Sequence, residues 1–248
     1  MTQLQGFFEK NFTLSPDYCG ASARMSPLAA FTMFQAIAAE HAERIGVGAA
    51  AMARRGAFWL TLHSRVDFFR WPALAQEVTA ATWPEHCEGR SLRCFRSYSL
   101  RQGDQLLALG RTQWAVLGEK GRLIPFAQSG FPEDFPFVER EGITEAPARF
   151  RDDLLPEELV QRHTVRSTDI DIGHMNNVAY VRLLLDCFPA SVLAGGEIAS
   201  MEIHYAAPCF EGEELSVLCR REGSICRMAV RKPDGKTAVL AAVRFHEK

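Results

Sequence analysis

Nowhere in the 248 residues is there an apolar run approaching the ~18 positions that a membrane-spanning helix needs. The first ten residues lack the apolar core of a secretory leader. There is no surplus of positive charge either: 28 Lys+Arg face 30 Asp+Glu, for a net charge of −2. Nucleic-acid binding draws its affinity from phosphate contacts, so this balance argues against it. The Arg-rich stretches, Arg54-Arg55, Arg90 to Arg96 and Arg220-Arg221, read as solvated faces before they read as a patch. The seven cysteines are odd in number and contain no C-x-x-C pair, which excludes a zinc ribbon and disfavours an oxidised framework. Small buried thiols in a reducing, cytoplasmic compartment are the expectation. No G-x-S-x-G, P-loop or G-x-G-x-x-G occurs, so a serine elbow and a nucleotide cradle are unsupported. We expect no metal and no cofactor.

What is present is an ordinary globular composition, 47% hydrophobic and 23% charged. A chain this long suits one large domain or two small ones. Residues 127–160 are broken by Pro132, Pro136, Pro147 and Pro156 and carry recurrent acids, among them Glu133, Asp134, Asp152 and Asp153. They read as a linker between units at 1–126 and 161–248.

The two units share an order of elements. In the first, Phe12 to Cys19 reads as a strand and Ser26-Pro27 as a helix start. Leu28, Phe31, Phe34, Ile37, Ala38, His41 and Ile45 form an apolar helical stripe that stops at Gly46. Strands follow over 57–69, 77–83, 91–101 and 105–117. In the second, a short strand at 161–166 leads through a polar loop to a helix striped by Val178, Val181, Leu185 and Phe188. Strands follow over 200–206, 214–220, 224–231 and 237–246. The offset between matching elements shrinks from about 148 at the helix starts to about 131 at the closing hairpins. Two copies with shorter loops in the second would give that trend. A long helix followed by antiparallel strands disfavours a doubly wound sheet and suggests a sheet wrapped around a helix, built twice.

The densest polar stretch runs from Ser167 to Tyr180, S-T-D-I-D-I-G-H-M-N-N-V-A-Y. Two carboxylates, a glycine, an imidazole and two amides precede a helix. Unsatisfied N–H groups at a helix N-terminus can polarise a carbonyl, and a carboxylate beside them can activate water. Gly173 permits close backbone approach. These parts suit hydrolysis of an activated acyl group. The plainer reading is that Asp169, Asp171 and Asn176 cap the helix. Glu40-His41 on the first helix reads as core or boundary rather than as acid–base chemistry.

This order of elements around D-x-D-x-G-H-x-N-N-x-x-Y resembles the hotdog-fold thioesterases, and the tandem arrangement resembles the acyl-acyl-carrier-protein thioesterases of plants and bacteria. Phe58-Trp59-Leu60, Thr112-Gln113-Trp114 and Leu123-Ile124-Pro125 match that family in the first half. The resemblance implies an α+β double hotdog, two antiparallel sheets each wrapped around a long helix. It implies hydrolysis of acyl-carrier-protein thioesters to free fatty acid, with catalytic residues Asp171, His174, Asn176 and Cys209. Gly173, Met175 and Asn177 would bind the thioester, and Met33, Phe34, Ile37, Trp59 and Phe68 would line the acyl-chain pocket. The expected partners are acyl carrier protein and a fatty acyl chain, with no nucleic acid and no membrane span, in a monomer or homodimer.

The family reads D-x-N-x-H. Here the loop is one residue short between Ile172 and Gly173, so Asp171 and His174 match while the Asn position is missing. On the later strand, Cys209 matches the family cysteine and Pro208 replaces its glutamate. Asn176, Asn177 or Glu202 are the candidate substitutes. Cys209 with His174 offers a nucleophile–base pair, set against the commoner buried thiol. An acyl-CoA thioesterase and an acyl-binding protein without hydrolysis are the alternatives.

Overall fold

The computed structural model describes residues 5–194 and 196–247. The elements are β1 (Phe8–Thr13), α1 (Pro27–Arg44), α2 (Ala49–Arg54), β2 (Phe58–Phe68), β3 (Glu77–Pro84), β4 (Cys94–Gln102), β5 (Gln105–Leu117) and β6 (Leu123–Ile124). After the connection come β7 (Leu159–Thr164), β8 (Ile170–Asp171), β9 (His174–Met175), α3 (Asn177–Leu185), α4 (Ala190–Ala194), β10 (Ile198–Tyr205), β11 (Glu214–Glu222), β12 (Ile225–Arg231) and β13 (Thr237–Phe245).

The strands run in the order β1-β3-β4-β5-β2-β10-β13-β12-β11-β7, all antiparallel, with β6 on β5 and β8–β9 as a separate ribbon. This is a double hotdog. The two sheets anticipated from sequence are continuous, because β2 pairs with β10 from Ser200↔Asp67 to His204↔His63. One main core spans both halves, holding Ala30, Met33, Phe34 and Ile37 of α1 with Val181 and Leu184 of α3 and strand residues from each.

α1 forms because its apolar stripe has this core to cover. Ser26 caps it, its hydroxyl accepting from Ala29 N–H at 3.3 Å, and Pro27 fills the first position. Gly110 on β5 lets the helix settle: a Cβ there would meet the Phe34 ring at 2.6 Å. Phe34 in turn stacks on Tyr98 of β4 at 4.9 Å.

The first strand lies earlier than the sequence reading. Residues 8–13 pair with β3, and Pro16–Tyr18 form a single 3-10 turn where a strand was expected. Pro16 starts that turn, which a locked φ favours. In the second half the α3 helix is half as long as α1, nine residues against eighteen.

The connection crosses the outer face of the sheet. Its acids meet outward arginines of the second unit: Asp152 on Arg231 at 3.0 Å, Asp153 on Arg227 at 2.8 Å, and Glu158 on Arg220 at 2.9 Å. Leu154 and Phe150 pack there on Leu218, Ala229 and Leu240. Arg220 is therefore one half of an ion pair rather than part of a free basic face. No helix among the described residues is long and apolar enough to cross a membrane.

Candidate active site

The polar stretch folds into a compact corner. Ser167–Asp169 make a 3-10 turn, and β8 and β9 pair as Ile170↔Met175 and Asp171↔His174. Only Ile172 and Gly173 remain at the tip, both with positive φ, +29° and +90°. A two-residue hairpin of type I′ has left-handed backbone at both central positions, which glycine accepts and a β-branched residue resists. Ile172, 75% exposed, therefore sits in the left-handed region.

The base of the hairpin is pinned on both sides. Asp169 is buried and accepts from Arg166 N–H at 2.9 Å, with His163 Nε2 at 2.8 Å. Burial pushes its carboxyl up, but those two partners outweigh burial and hold it below its ordinary value. The Asp169 carbonyl accepts from Asn176 N–H at 2.8 Å, and Met175 N–H donates to the Cys209 carbonyl at 2.8 Å.

Asn176 is the N-cap of α3 and does two things at once. Its Oδ1 accepts from Val178 N–H at 2.6 Å, and its Nδ2 donates to Asp171 Oδ2 at 2.5 Å. The cap amide therefore holds the carboxylate beside the helix terminus. The orienting amide expected two positions before the histidine is supplied two positions after it. His174 Nδ1 lies 3.0 Å from the Met175 carbonyl. A carbonyl only accepts, so Nδ1 is the donor in this contact.

The first turn of α3 leaves one donor. Val178 and Ala179 N–H groups bond to Asn176, and the Met175 and Asn176 N–H groups are taken as above. Among the described residues the Asn177 N–H has no intramolecular partner. Of the expected thioester-binding residues, Met175 is buried with its N–H occupied, and Gly173 shapes the turn. The Asn177 side chain reaches across to the first unit, donating to Thr61 Oγ1 at 2.9 Å. A bulge between Thr61 and His63 on β2 resets the alternation there.

Two expected contributors stand elsewhere. Cys209 is fully buried, its N–H donates to the Tyr180 hydroxyl at 3.0 Å, and burial pushes its thiol up. Its thiol is near Tyr180, Lys232 and Glu213, and among the described residues it makes no hydrogen bond to His174. Glu202 lies between Met201 and Ile203, both facing the core, so it faces the outer side of the sheet. There it accepts from Ala148 N–H at 2.8 Å and sits 2.8 Å from His63 Nε2, without the alignment of a hydrogen bond. Burial raises the Glu202 carboxyl, yet His63 and the Ala148 N–H prevail and hold it below its ordinary value.

Met33, Phe34, Ile37 and Phe68 share the main core. Trp59 does not join them: it packs with Val47, Met52 and Phe135 in a separate cluster, its Nε1 donating to Val47 O at 2.8 Å. His41 is buried, 3.0 Å from Arg96 Nη1 and 3.2 Å from Gln5 O. Burial first, then the Arg96 charge, pushes it down to about 4. Thr61, Tyr180 and the anchoring by Asp169 were not assigned from sequence. Asp169 and Tyr180 stood within the motif; nothing local marked Thr61.

Fold and site together define a tandem-hotdog protein with one carboxylate-bearing helix mouth. Residues 5–130 match the acyl-ACP thioesterase N-terminal domain and residues 154–247 match the C-terminal domain. The chain belongs to the acyl-ACP thioesterase family. It is 22% identical to the chloroplastic palmitoyl-acyl carrier protein thioesterase of Gossypium hirsutum over 97% of its length, spanning 64% of that relative. An acyl-ACP thioesterase structure from Bacteroides thetaiotaomicron superposes with a TM-score of 0.86 at 22% identity, covering 97% of this chain and 98% of that one. The 12:0-ACP thioesterase from Umbellularia californica gives 0.82 at 18% identity over the whole of both chains.

Proposed function

We propose that this protein hydrolyses acyl-acyl-carrier-protein thioesters and releases free fatty acid, within fatty acid biosynthesis. The observation that carries the reading is the Asp171 carboxylate held by the Asn176 amide at the mouth of α3. Asn177 N–H points the helix dipole at the thioester oxygen and stabilises negative charge as the carbonyl carbon becomes tetrahedral. Asp171 holds the attacking water and takes its proton. His174, its Nδ1 held on the Met175 carbonyl, relays a proton to the departing thiolate. Family membership supports the carrier-protein substrate, and seven free cysteines support a reducing, cytoplasmic setting.

The test is turnover of purified protein on acyl-carrier-protein thioesters of several chain lengths, with acyl-CoA of the same chains in parallel. Higher kcat/KM on carrier-protein thioesters is expected. Intact thioesters overturn hydrolysis, and a clear CoA preference overturns the carrier.

A further inference from the structure

Away from the acyl site, β11 and β12 carry Cys219 and Cys226 on the inner face of their hairpin. Cys219 pairs with Met228 and Cys226 with Arg221, so the cysteines are diagonal neighbours on one side of the ladder. Their sulfurs are 2.6 Å apart. Cys226 is buried at 1% exposure, while Cys219 is partly open to solvent. Cys187, just past α3, approaches the same place, its thiol donating to Leu183 O at 3.7 Å. We propose that Cys219 and Cys226 form a peroxide-responsive thiol pair that closes to a disulfide beneath α3.

The geometry supplies each requirement. Closure to the ~2.05 Å of a covalent bond needs the sulfurs to approach by about half an ångström. Access distinguishes their roles: only Cys219 is open to an incoming oxidant. A hydrogen bond from Cys226 holds the Cys219 thiol below its ordinary value, which favours its thiolate, and the neighbouring Arg221 charge adds to this. The Cys219 thiolate attacks hydrogen peroxide, the O–O bond breaks, and sulfenic acid forms as one water leaves. The Cys226 sulfur then attacks the Cys219 sulfur, the S–O bond breaks, and a second water leaves. Two thiols lose two electrons and two protons, and peroxide is reduced to two waters. Neither sulfur belongs to the Asp171 site, so the pair stands whether or not the acyl chemistry holds.

Peroxide treatment of the reduced, full-length protein, followed by unfolding, alkylation and tryptic mapping, tests it. Cleavage after Arg220, Arg221 and Arg227 puts the cysteines in separate peptides, 183–220 and 222–227. Expected in the wild type are a link between these peptides that dithiothreitol reverses and loss of alkylation at Cys226. The link should vanish in Cys219→Ser and persist in Cys187→Ser and Cys209→Ser. Cys226→Ser should trap sulfenic acid on Cys219 as a dimedone adduct. Undiminished alkylation of wild-type Cys226, or a link that survives in Cys219→Ser, overturns the proposal.

Discussion

The two helix mouths of this molecule are built alike and serve differently. At α1, Ser26 caps, Met25, Pro27, Ala29 and Ala30 are buried, and the cap side chain bonds only to Ala29 N–H. At α3, Asn176 caps, Asn176, Asn177 and Val178 are half-buried, and the second arm of the cap holds a carboxylate. A hydroxyl cap donates and accepts through a single oxygen, whereas an amide caps with its oxygen and keeps two N–H donors on a separate atom. The change of cap residue is thus a change of chemistry. The buried polar groups follow the same division. The first unit keeps a cation inside, Arg96 against a neutral His41, while the second keeps an anion at its mouth.

The severest way to break this comparison is Asp171→Asn. It should lower kcat on acyl-carrier-protein thioesters by roughly 10²–10⁴ with little change in Tm, as for loss of a general base. A wild-type rate would remove Asp171 from the chemistry.

Next comes acid stability of the first unit. His41 has a folded pKa of about 4, below its ~6.5 in an unfolded chain. Its contribution is therefore fully present above pH ~6.5 and is lost as pH falls through the folded value, by as much as ~3 kcal/mol. Urea unfolding across that window should show a shallower decline in His41→Gln than in wild type. The depressed carboxyls of Asp169 and Glu202 act lower, giving way as pH falls below ~4.

The two functions of Asn176 can then be separated. Asn176→Ala should cost about 1 kcal/mol and slow turnover, whereas Asn176→Ser should restore the stability and not the rate. Ser26→Ala, the matching change in the first unit, should cost about the same in urea unfolding and leave kcat alone. A Ser26→Ala variant impaired in turnover at full folding would end the division of labour. The smallest effect belongs to the hairpin tip. Ile172→Asn should raise stability by about 1 kcal/mol, since asparagine tolerates the left-handed region that isoleucine does not.

Much of the framework was legible in the chain. β5 runs over the residues its pattern marked, Gln105–Leu117, and α1 begins behind Ser26 as its cap signal requires. Long elements declare themselves because periodicity accumulates with length. The β8–β9 ribbon has two residues per strand, too few for any period, so the loop there hid the hairpin that carries Asp171 and His174. Trp59 was grouped with Phe34 by residue type, yet the bulged strand that carries it directs it to another cluster. Glu202 was a reasonable substitute on charge alone. Its place between two core-facing residues sends it through the sheet, away from the site.

By itself the sequence determined the duplicated helix-and-strands plan and which half holds the polar cluster. Apolar period, caps and turn residues act within a few positions, so they can be read locally. Only the tertiary structure decided that the two sheets join along β2 and β10, that the Asn176 amide reaches Asp171, that the Asn177 N–H has no partner among the described residues, and that Cys209 is buried. Each of these depends on where a side chain or a backbone donor points. That direction is set by neighbours brought in from far along the chain, as Thr61 meets Asn177 across 116 positions.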